Sequence, residues 1–495
     1  MRMLCWAVVF TAAVIAACTS TREATAPRRF RPSFQTVVDS DSAWLATNRS
    51  QQIKGWGLYP GGGPFPFSVG GANGVRAESL LYHMGATFMR DQLDPQIYES
   101  GSTIADIALN NSAINDYIVK WDTAHKYGMS YILSVWSPPA SMKANNSLDG
   151  DSLKTSSINA YVAFLTAAML YVKNSSINSA GLPVAFSVAN EPDIQTSKYP
   201  STIYSPSTWQ EVADNTRGAF NFNGLTSIES FGPETSNYDS VSSFLGGSTF
   251  PSIDGGFFDD SAIRAFAFHT YGQCSYQDVE TNFVGKYPRD SWVTEFSRAF
   301  YQGSSEIANT IDMTGALGAD LVLVPNNYWA WWRGYRTDTL VNMDTETLML
   351  DNPKTNQLTV SKRFYTLRKL WQTVLPTMWY AWPFASSTDP DLRINSMDQK
   401  MCPTNLPRVD LYGFQSAGGN HESVVVVSNY TTHDKWLKVI GFPTSFTTQQ
   451  AYISDTTGGD MIAQAPSTVW TPAGQTVART VLYIPHRSVN IAILH

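Results

Sequence analysis

Eight short runs rich in β-branched and aromatic residues, separated by stretches of helical periodicity, constrain this chain most strongly. The runs are Gln52–Gly57, Thr87–Leu93, Ser130–Ser137, Val184–Pro192, Ser227–Glu234, Ala265–Gly272, Trp292–Ser297 and Leu321–Trp332. Ala113–Tyr127, Ser157–Val172, Ser207–Phe220 and the stretch around Ser304–Leu317 read as helices between them. Lys362–Leu375 adds a last helix, with Phe364, Leu367, Trp371 and Val374 on one face and Pro376 as its stop. Strand–helix units in such a series predict an α/β fold, a (β/α)8 TIM barrel. The C-terminal strand ends of such a barrel carry the chemistry. Here those ends hold Trp136, Glu191, Glu234, His269, Tyr271, Glu295 and Trp332.

Past residue 380 the pattern changes. Arg408–Gln415, Ser423–Tyr430, Lys435–Phe442, Gln450–Ser454, Thr476–Ile484 and Ser488–Leu494 alternate or run apolar, with Gly, Pro, Ser and Thr between them. This predicts an all-β side domain, a β-sandwich over residues 380–495. The barrel then spans 51–379, and residues 34–50, with the strand-like Phe34–Asp39, are expected to join the sandwich. The total of 495 residues suits this plan, since a barrel takes ~250 residues and leaves room for a smaller domain.

The N-terminus reads as an export signal. Arg2 precedes the short apolar run Ala7–Ala17, and Ile15-Ala16-Ala17-Cys18 resembles a bacterial lipobox, with cleavage before Cys18 and lipid on its thiol. Residues 1–17 are then a signal peptide and 18–33 a polar tether. The expected location is the outer membrane of a bacterium, reached through the lipid on Cys18. The net charge of -7 gives no basic footprint for nucleic acid. Cys274 and Cys402 are left, either as a pair or as two buried thiols. With no CxxC, no HExxH and no dense His/Asp cluster, neither a metal nor a cofactor is expected. Aromatic residues make up 13%, which suits stacking on sugar rings and equally a large aromatic core.

Asn190-Glu191-Pro192 closes the fourth run and Thr294-Glu295-Phe296 lies in the seventh, 104 residues on, about three βα units. Two carboxylates facing one another across a barrel mouth are what glycoside hydrolysis requires: one protonates the leaving oxygen and the other attacks the anomeric carbon. Their mutual repulsion keeps one proton on the pair near neutrality.

Acid/base on strand four and nucleophile on strand seven resemble a clan of retaining glycoside hydrolases. Within it the chain is similar to glycoside hydrolase family 30. The segments that carry this likeness are Trp136-Ser137-Pro138-Pro139-Ala140-Ser141-Met142-Lys143 with Asn145-Asn146-Ser147-Leu148, Ser187–Asp193, His269-Thr270-Tyr271-Gly272, Trp292–Glu295 and Ser361–Tyr365.

The resemblance implies a retaining, endo-acting enzyme on a β-linked plant polysaccharide, closest to the β-1,4-xylanases. A β-1,6-glucanase or galactanase is the alternative, and a glycan-binding lipoprotein without catalysis a more distant one. It implies Glu191 as acid/base, Glu295 as nucleophile, Asn190 on the sugar 2-OH, and Tyr271 holding the Glu295 carboxylate. His269 and Arg90 are candidate site residues, Arg90 either beside the nucleophile or paired with Asp91 or Glu234. Trp136, Trp329, Trp331 and Trp332 are candidate stacking platforms, of which one or two line subsites. Glucuronoxylan-specific members place an arginine after strand eight. Arg333 stands nearest that position and Arg336 second, although the residues around them differ from that pattern. The polysaccharide is the expected partner, and a monomer the expected state.

The lipobox generates the first prediction. Mass spectrometry of the mature protein should show an acylated Cys18, and Cys18→Ser should release soluble protein or stall processing. A free N-terminus at another residue would remove the tether.

Overall fold

The protein is described by a computed structural model that covers residues 42–61, 71–93, 95–99, 108–244, 263–271, 290–297, 305–323, 326–338, 346–386 and most of 409–494. The signal and tether, Phe34–Asp39, Cys18, Cys274 and Cys402 lie outside the described residues.

Eight parallel strands close into a barrel: Gly55–Leu58, Phe88–Leu93, Ser130–Val135, Ala185–Ser187, Glu229–Thr235, Ala265–His269, Asp290–Phe296 and Asn326–Trp331, counted below as strands one to eight. Each pairs with its sequence neighbour, and strand eight closes on strand one. Strand one begins at Gly55 rather than Gln52 and strand six ends at His269, and two further boundaries differ more. Leu321–Leu323 completes the helix Glu306–Leu323, and strand eight begins only at Asn326. A short apolar run has no period to separate buried helix from strand. Strand four is only Ala185–Ser187, because Val188–Pro192 leaves the ladder to form the site.

Alternation along the strands builds the barrel interior. Phe88, Ile132, Phe231, Trp292 and Tyr328 fill it, with Ala185, Ala265, Ala267 and Ala330 between them. The two glycines of Gly55-Trp56-Gly57 make the room. A Cβ on Gly57 would meet the Phe88 ring at 2.2 Å, and one on Gly55 the Tyr328 ring at 2.7 Å. Trp56 points the other way, donates from Nε1 to the Val374 carbonyl at 2.6 Å and stacks on Trp371. The helix containing Ile158–Asn174 is apolar enough to cross a membrane, yet here Tyr161, Leu165, Met169 and Val172 pack it into the core.

The side domain is a continuous antiparallel-rich sheet that folds over itself. Trp379–Ser386 leaves the barrel and pairs with Ser42–Gln52, which also runs parallel to Lys435–Phe442. On one side follow Val409–Gln415, Ser423–Asn429, Ser488–Leu494 and Thr448–Ser454; on the other, Ala478–Ile484. Val409, Leu411, Val425, Val427 and Leu494 meet Leu437, Val439, Leu482 and Ile484 in one buried cluster. The alternate residues Tyr412, Phe414, Val424, Val426, Val489 and Ile491 belong to the barrel's core instead. A period of two therefore assigns one face to the sandwich interior and the other to the barrel.

That interface turns on Gly318, which lies in the helix Glu306–Leu323 against the Tyr412 ring. Hydrogen bonds from Tyr430 Oη to the Ile311 carbonyl and from Ser428 Oγ to Thr314 Oγ1, both 2.9 Å, join the same helix to the sheet. An added Cβ at Gly318 would sit 2.5 Å from a ring that is itself fully buried. Gly318→Ala should therefore cost ~1–3 kcal/mol in urea unfolding, the usual penalty for overpacking, despite alanine's better helix propensity. A neutral result would mean that the interface can slide.

Candidate active site

Arg90 lies on strand two at 0% exposure and points inward, two residues beyond the inward Phe88. Its guanidinium donates in three directions: Nε to Glu234 Oε1 at 3.1 Å, Nη1 to Glu295 Oε2 at 2.8 Å, and Nη2 to Asn190 Oδ1 at 2.6 Å. It thereby ties strand two to the ends of strands four, five and seven. Asp91, between these positions in phase, faces outward to Lys120 Nζ and Trp121 Nε1, both at 2.8 Å, on the helix Asn111–Lys126. Of the partners considered from sequence, Arg90 takes the nucleophile candidate and Glu234, not Asp91.

Glu191 follows strand four in a left-handed conformation, φ 47°. Such a backbone costs of order 1–3 kcal/mol and persists only where its surroundings fix it. Here Asn190 N–H donates to the Val135 carbonyl at 2.8 Å and Glu191 N–H to the Glu234 carbonyl at 3.0 Å, clamping the turn between strands three and five. Glu295 is brought inward by an irregularity in strand seven: Val293 pairs with Phe268 and Glu295 with His269, leaving Thr294 as the extra residue.

His269, fully buried on strand six, stands between the acids. Its Nδ1 is 3.0 Å from Glu191 Oε1 and 3.9 Å from Glu295 Oε1, and its Nε2 is 3.9 Å from Glu234. Tyr271 Oη donates to Glu295 Oε1 at 2.8 Å. Glu191, His269 and Glu295 each bring one ligand-type atom within 4.8 Å of the others. Arg90 already supplies positive charge to Glu295 there.

Charge settles where the protons sit. Burial pushes the His269 pKa down, but Glu295, Glu191 and Glu234 outweigh it and raise it to about 9. Burial pushes Glu234 up, but Arg90 and His269 hold it at about 2. Glu191 is likewise pushed up by burial, yet the bond and charge of His269, the Tyr199 hydroxyl and Arg90 hold it below the ordinary value. Glu295 is raised, by burial first and by the Glu191 charge, against the pull of His269 and Arg90. With one proton on the Glu191–Glu295 pair, the buried cluster has two cations, Arg90 and His269, and two anions, and is neutral.

The mouth carries an aromatic shelf. Trp332 stacks on Tyr59 at 4.3 Å and on Trp136 at 5.6 Å, and the Arg333 guanidinium lies over it at 5.5 Å. Trp136 Nε1 has no hydrogen-bond partner among the described residues. Trp331 is a correction: it is 1% exposed, donates to the Glu346 carbonyl and lies under Arg363. Because Ala330 faces inward, Trp329 and Trp331 face the helices and are core. Arg333 sits on the rim with Glu346 at 3.5 Å, and Arg336 pairs with Asp338. The segment after it is a small sheet of Tyr335–Thr337, Met349–Asn352 and Gln357–Val360. Tyr199, missed in the sequence, donates to Glu191 Oε2. A tyrosine eight residues past the acid in a polar loop carries no sequence signal of its own.

The fold is that of family 30 glycoside hydrolases. A subfamily 8 xylanase of that family from Clostridium acetobutylicum aligns over 92% of this chain and 100% of its own, with TM-score 0.65 at 18% identity. A conserved exported protein from Bacteroides fragilis aligns over 91% and 100%, with TM-score 0.71 at 12% identity. An endo-β-1,6-glucanase aligns over 93% and 94%, with TM-score 0.63 at 14% identity. No protein-family model and no curated protein matches the chain.

His269 sets the pH behaviour of the folded state. Its folded pKa lies above its ordinary 6.5, so its contribution is complete below pH 6.5 and is lost as pH rises through about 9. Glu234 acts oppositely, contributing above 4.5 and losing its effect as pH falls toward about 2. Melting temperature measured from about pH 5 to about pH 10 should fall across the His269 window, and His269→Asn should lack that limb. A wild-type profile flat through the window would mean that His269 is neutral when folded.

Proposed function

We propose that this protein is a retaining glycoside hydrolase that cleaves a β-linked plant polysaccharide from within the chain, with β-1,4-xylan as its backbone. The observation that carries this reading is the Glu191–Glu295 pair at the open end of the barrel, one oxygen of each within 4.8 Å of the other. Retaining enzymes hold their carboxyl groups ~5–5.5 Å apart, whereas inverting ones need ~6.5–9.5 Å to seat a water.

In this mechanism ionised Glu295 attacks the anomeric carbon while Glu191 gives its proton to the departing oxygen. Glu191 then takes a proton from water, which displaces Glu295 from the sugar. The reaction requires the proton of the pair on Glu191 and an ionised Glu295. His269 Nδ1 touches one acid and lies close to the other, which gives a proton a short path between them. Arg90 and Tyr271 remain on Glu295 as donors and stabilise the ionised nucleophile. An arginine cannot accept a hydrogen bond, so the Asn190 atom facing it must be Oδ1. This leaves Nδ2 for the sugar 2-OH.

The shelf of Tyr59, Trp332 and Trp136 suits the flat faces of a sugar chain, and the Trp136 indole N–H, which has no partner among the described residues, offers a donor to a hydroxyl. A uronate branch would have to compete with Glu346 for Arg333, which favours undecorated xylan over glucuronoxylan. Tethered through Cys18, the enzyme would work at the bacterial envelope.

Purified protein should release oligosaccharides from xylan in a panel that also holds glucuronoxylan, β-1,6-glucan and β-1,6-galactan. Glu295→Ala should abolish turnover. Glu191→Ala should lose about 10²–10⁴-fold on the polymer, the usual share of a general acid, and azide should partly rescue it on an activated aryl glycoside. Proton NMR should show retained configuration at the anomeric carbon. Inversion would sink the mechanism, and cleavage of the β-1,6 polymers alone would replace the substrate.

A further inference from the structure

The glycosidase reading leaves one contact at the acid unused. Glu191 has two carboxylate oxygens with different outlooks. Oε1 faces inward to His269, which is fully buried; Oε2 faces the loop beyond strand four, where it accepts the hydroxyl of Tyr199. A general acid passes its proton through the oxygen nearest the leaving group. Oε1 is already held by the interior, so Oε2 is the oxygen left for the scissile bond. The phenol oxygen therefore sits where a glycosidic oxygen would have to lie.

The loop is built to hold that phenol in place while leaving its tip accessible. Ile194 N–H donates to the Glu191 carbonyl at 3.1 Å, and Ser201 N–H to the Leu148 carbonyl at 3.1 Å. Ser201 Oγ accepts from Gly150 N–H, and the Ser201 carbonyl from the buried Lys143. Between these anchors Gln195, Ser197 and Lys198 are exposed. The Tyr199 ring meets Trp136 edge-on at 5.2 Å, so the tyrosine bridges the acid and the aromatic shelf.

We propose that Tyr199 is a positioning residue that gates the acid: its hydroxyl occupies the place of the leaving-group oxygen on Glu191 Oε2, and substrate has to displace it before Glu191 can act. This deepens the glycosidase reading and rests on it. Among the described residues, the other charged groups around Glu191 are carried by the barrel strands: His269 on strand six, Arg90 on strand two, Glu295 on strand seven and Glu234 on strand five. Tyr199 is the one donor in this set carried by a loop with an exposed tip. Burial and the Glu191 charge keep its own hydroxyl protonated, so it remains a donor. Its departure removes a bond that favours ionised Glu191 and drives the proton onto that acid.

Tyr199→Phe keeps the ring against Trp136 and deletes only the hydroxyl. The test titrates the Glu191 carboxyl by carbon-13 NMR in wild-type and Tyr199→Phe protein labelled at glutamate, with Glu191→Gln to assign the signal. The Glu191 midpoint should rise by about one pH unit in the variant, as expected for losing a hydrogen bond to a charged group. In steady-state assays on xylo-oligosaccharide, the alkaline limb of kcat/KM should move up by the same amount, and KM should fall because the internal competitor is gone. An unmoved Glu191 titration in a folded variant overturns the gate, whether or not the protein is active. A shifted titration in a protein that cleaves no polymer keeps the contact's effect on Glu191 and removes the glycosidase reading instead. A shifted titration with a raised KM would make Tyr199 a substrate contact, and the gate would fall.

Discussion

The whole site depends on one buried cation. Arg90 has no exposure, and taking a guanidinium out of water costs several kcal/mol unless its donors are met. It meets them with a carboxylate from strand five, a carboxylate from strand seven and an amide oxygen after strand four. An arginine suits this task where a lysine would not, because its planar fork fixes three partners in direction as well as distance. Two of these partners are in turn locked, Glu295 by Tyr271 and Asn190 by the backbone clamp to strand three. Positions set by strand ends on a closed barrel vary little, so the two carboxylates are held at a fixed separation.

Barrel alternation makes that arrangement possible. The lower interior is filled by Phe88, Ile132, Phe231, Trp292 and Tyr328, with glycine and alanine opposite the large rings. On strands two and six the next inward positions along each strand are Arg90 and His269, so the apolar layer forms the floor of the polar one. The low dielectric of that floor strengthens every charge contact above it and penalises any net charge left there. Neutrality of the cluster follows, with one proton retained on the acid pair. That proton then has two possible homes, and the surrounding donors decide between them.

The outer part of the site obeys different rules. Trp136, Trp332 and Tyr59 form a shelf from three separate strand ends, and Tyr199 closes over it from a loop. Lys143, the lysine of the strand-three motif, is buried and has its pKa lowered to about 8 by that burial. Its bonds to the Leu148 and Ser201 carbonyls hold the strand-three segment and the Tyr199 loop together. The motif's lysine thus ties the segment together, while its tryptophan lies on the aromatic shelf.

The chain itself determined the architecture. Its eight β-rich runs and intervening helical periods specify a barrel, because local pattern and burial agree along each strand. Asn190-Glu191-Pro192 and Glu295 were legible for the same reason: chemistry concentrates at C-terminal strand ends. Arg90, His269 and Tyr271 were visible as residue types at such ends, but their partners were not. Only closure of the barrel brought Arg90 to Glu234 and Glu295 rather than to its neighbour Asp91, since alternate residues on a strand point opposite ways. The same alternation moved Trp331 from shelf to core. Strand eight was misread at its start because Leu321–Leu323 is apolar in any conformation, and the surrounding packing made it helix. Tyr199 was beyond the sequence altogether: it reaches Glu191 through the path of a loop, and no periodicity records where a loop returns.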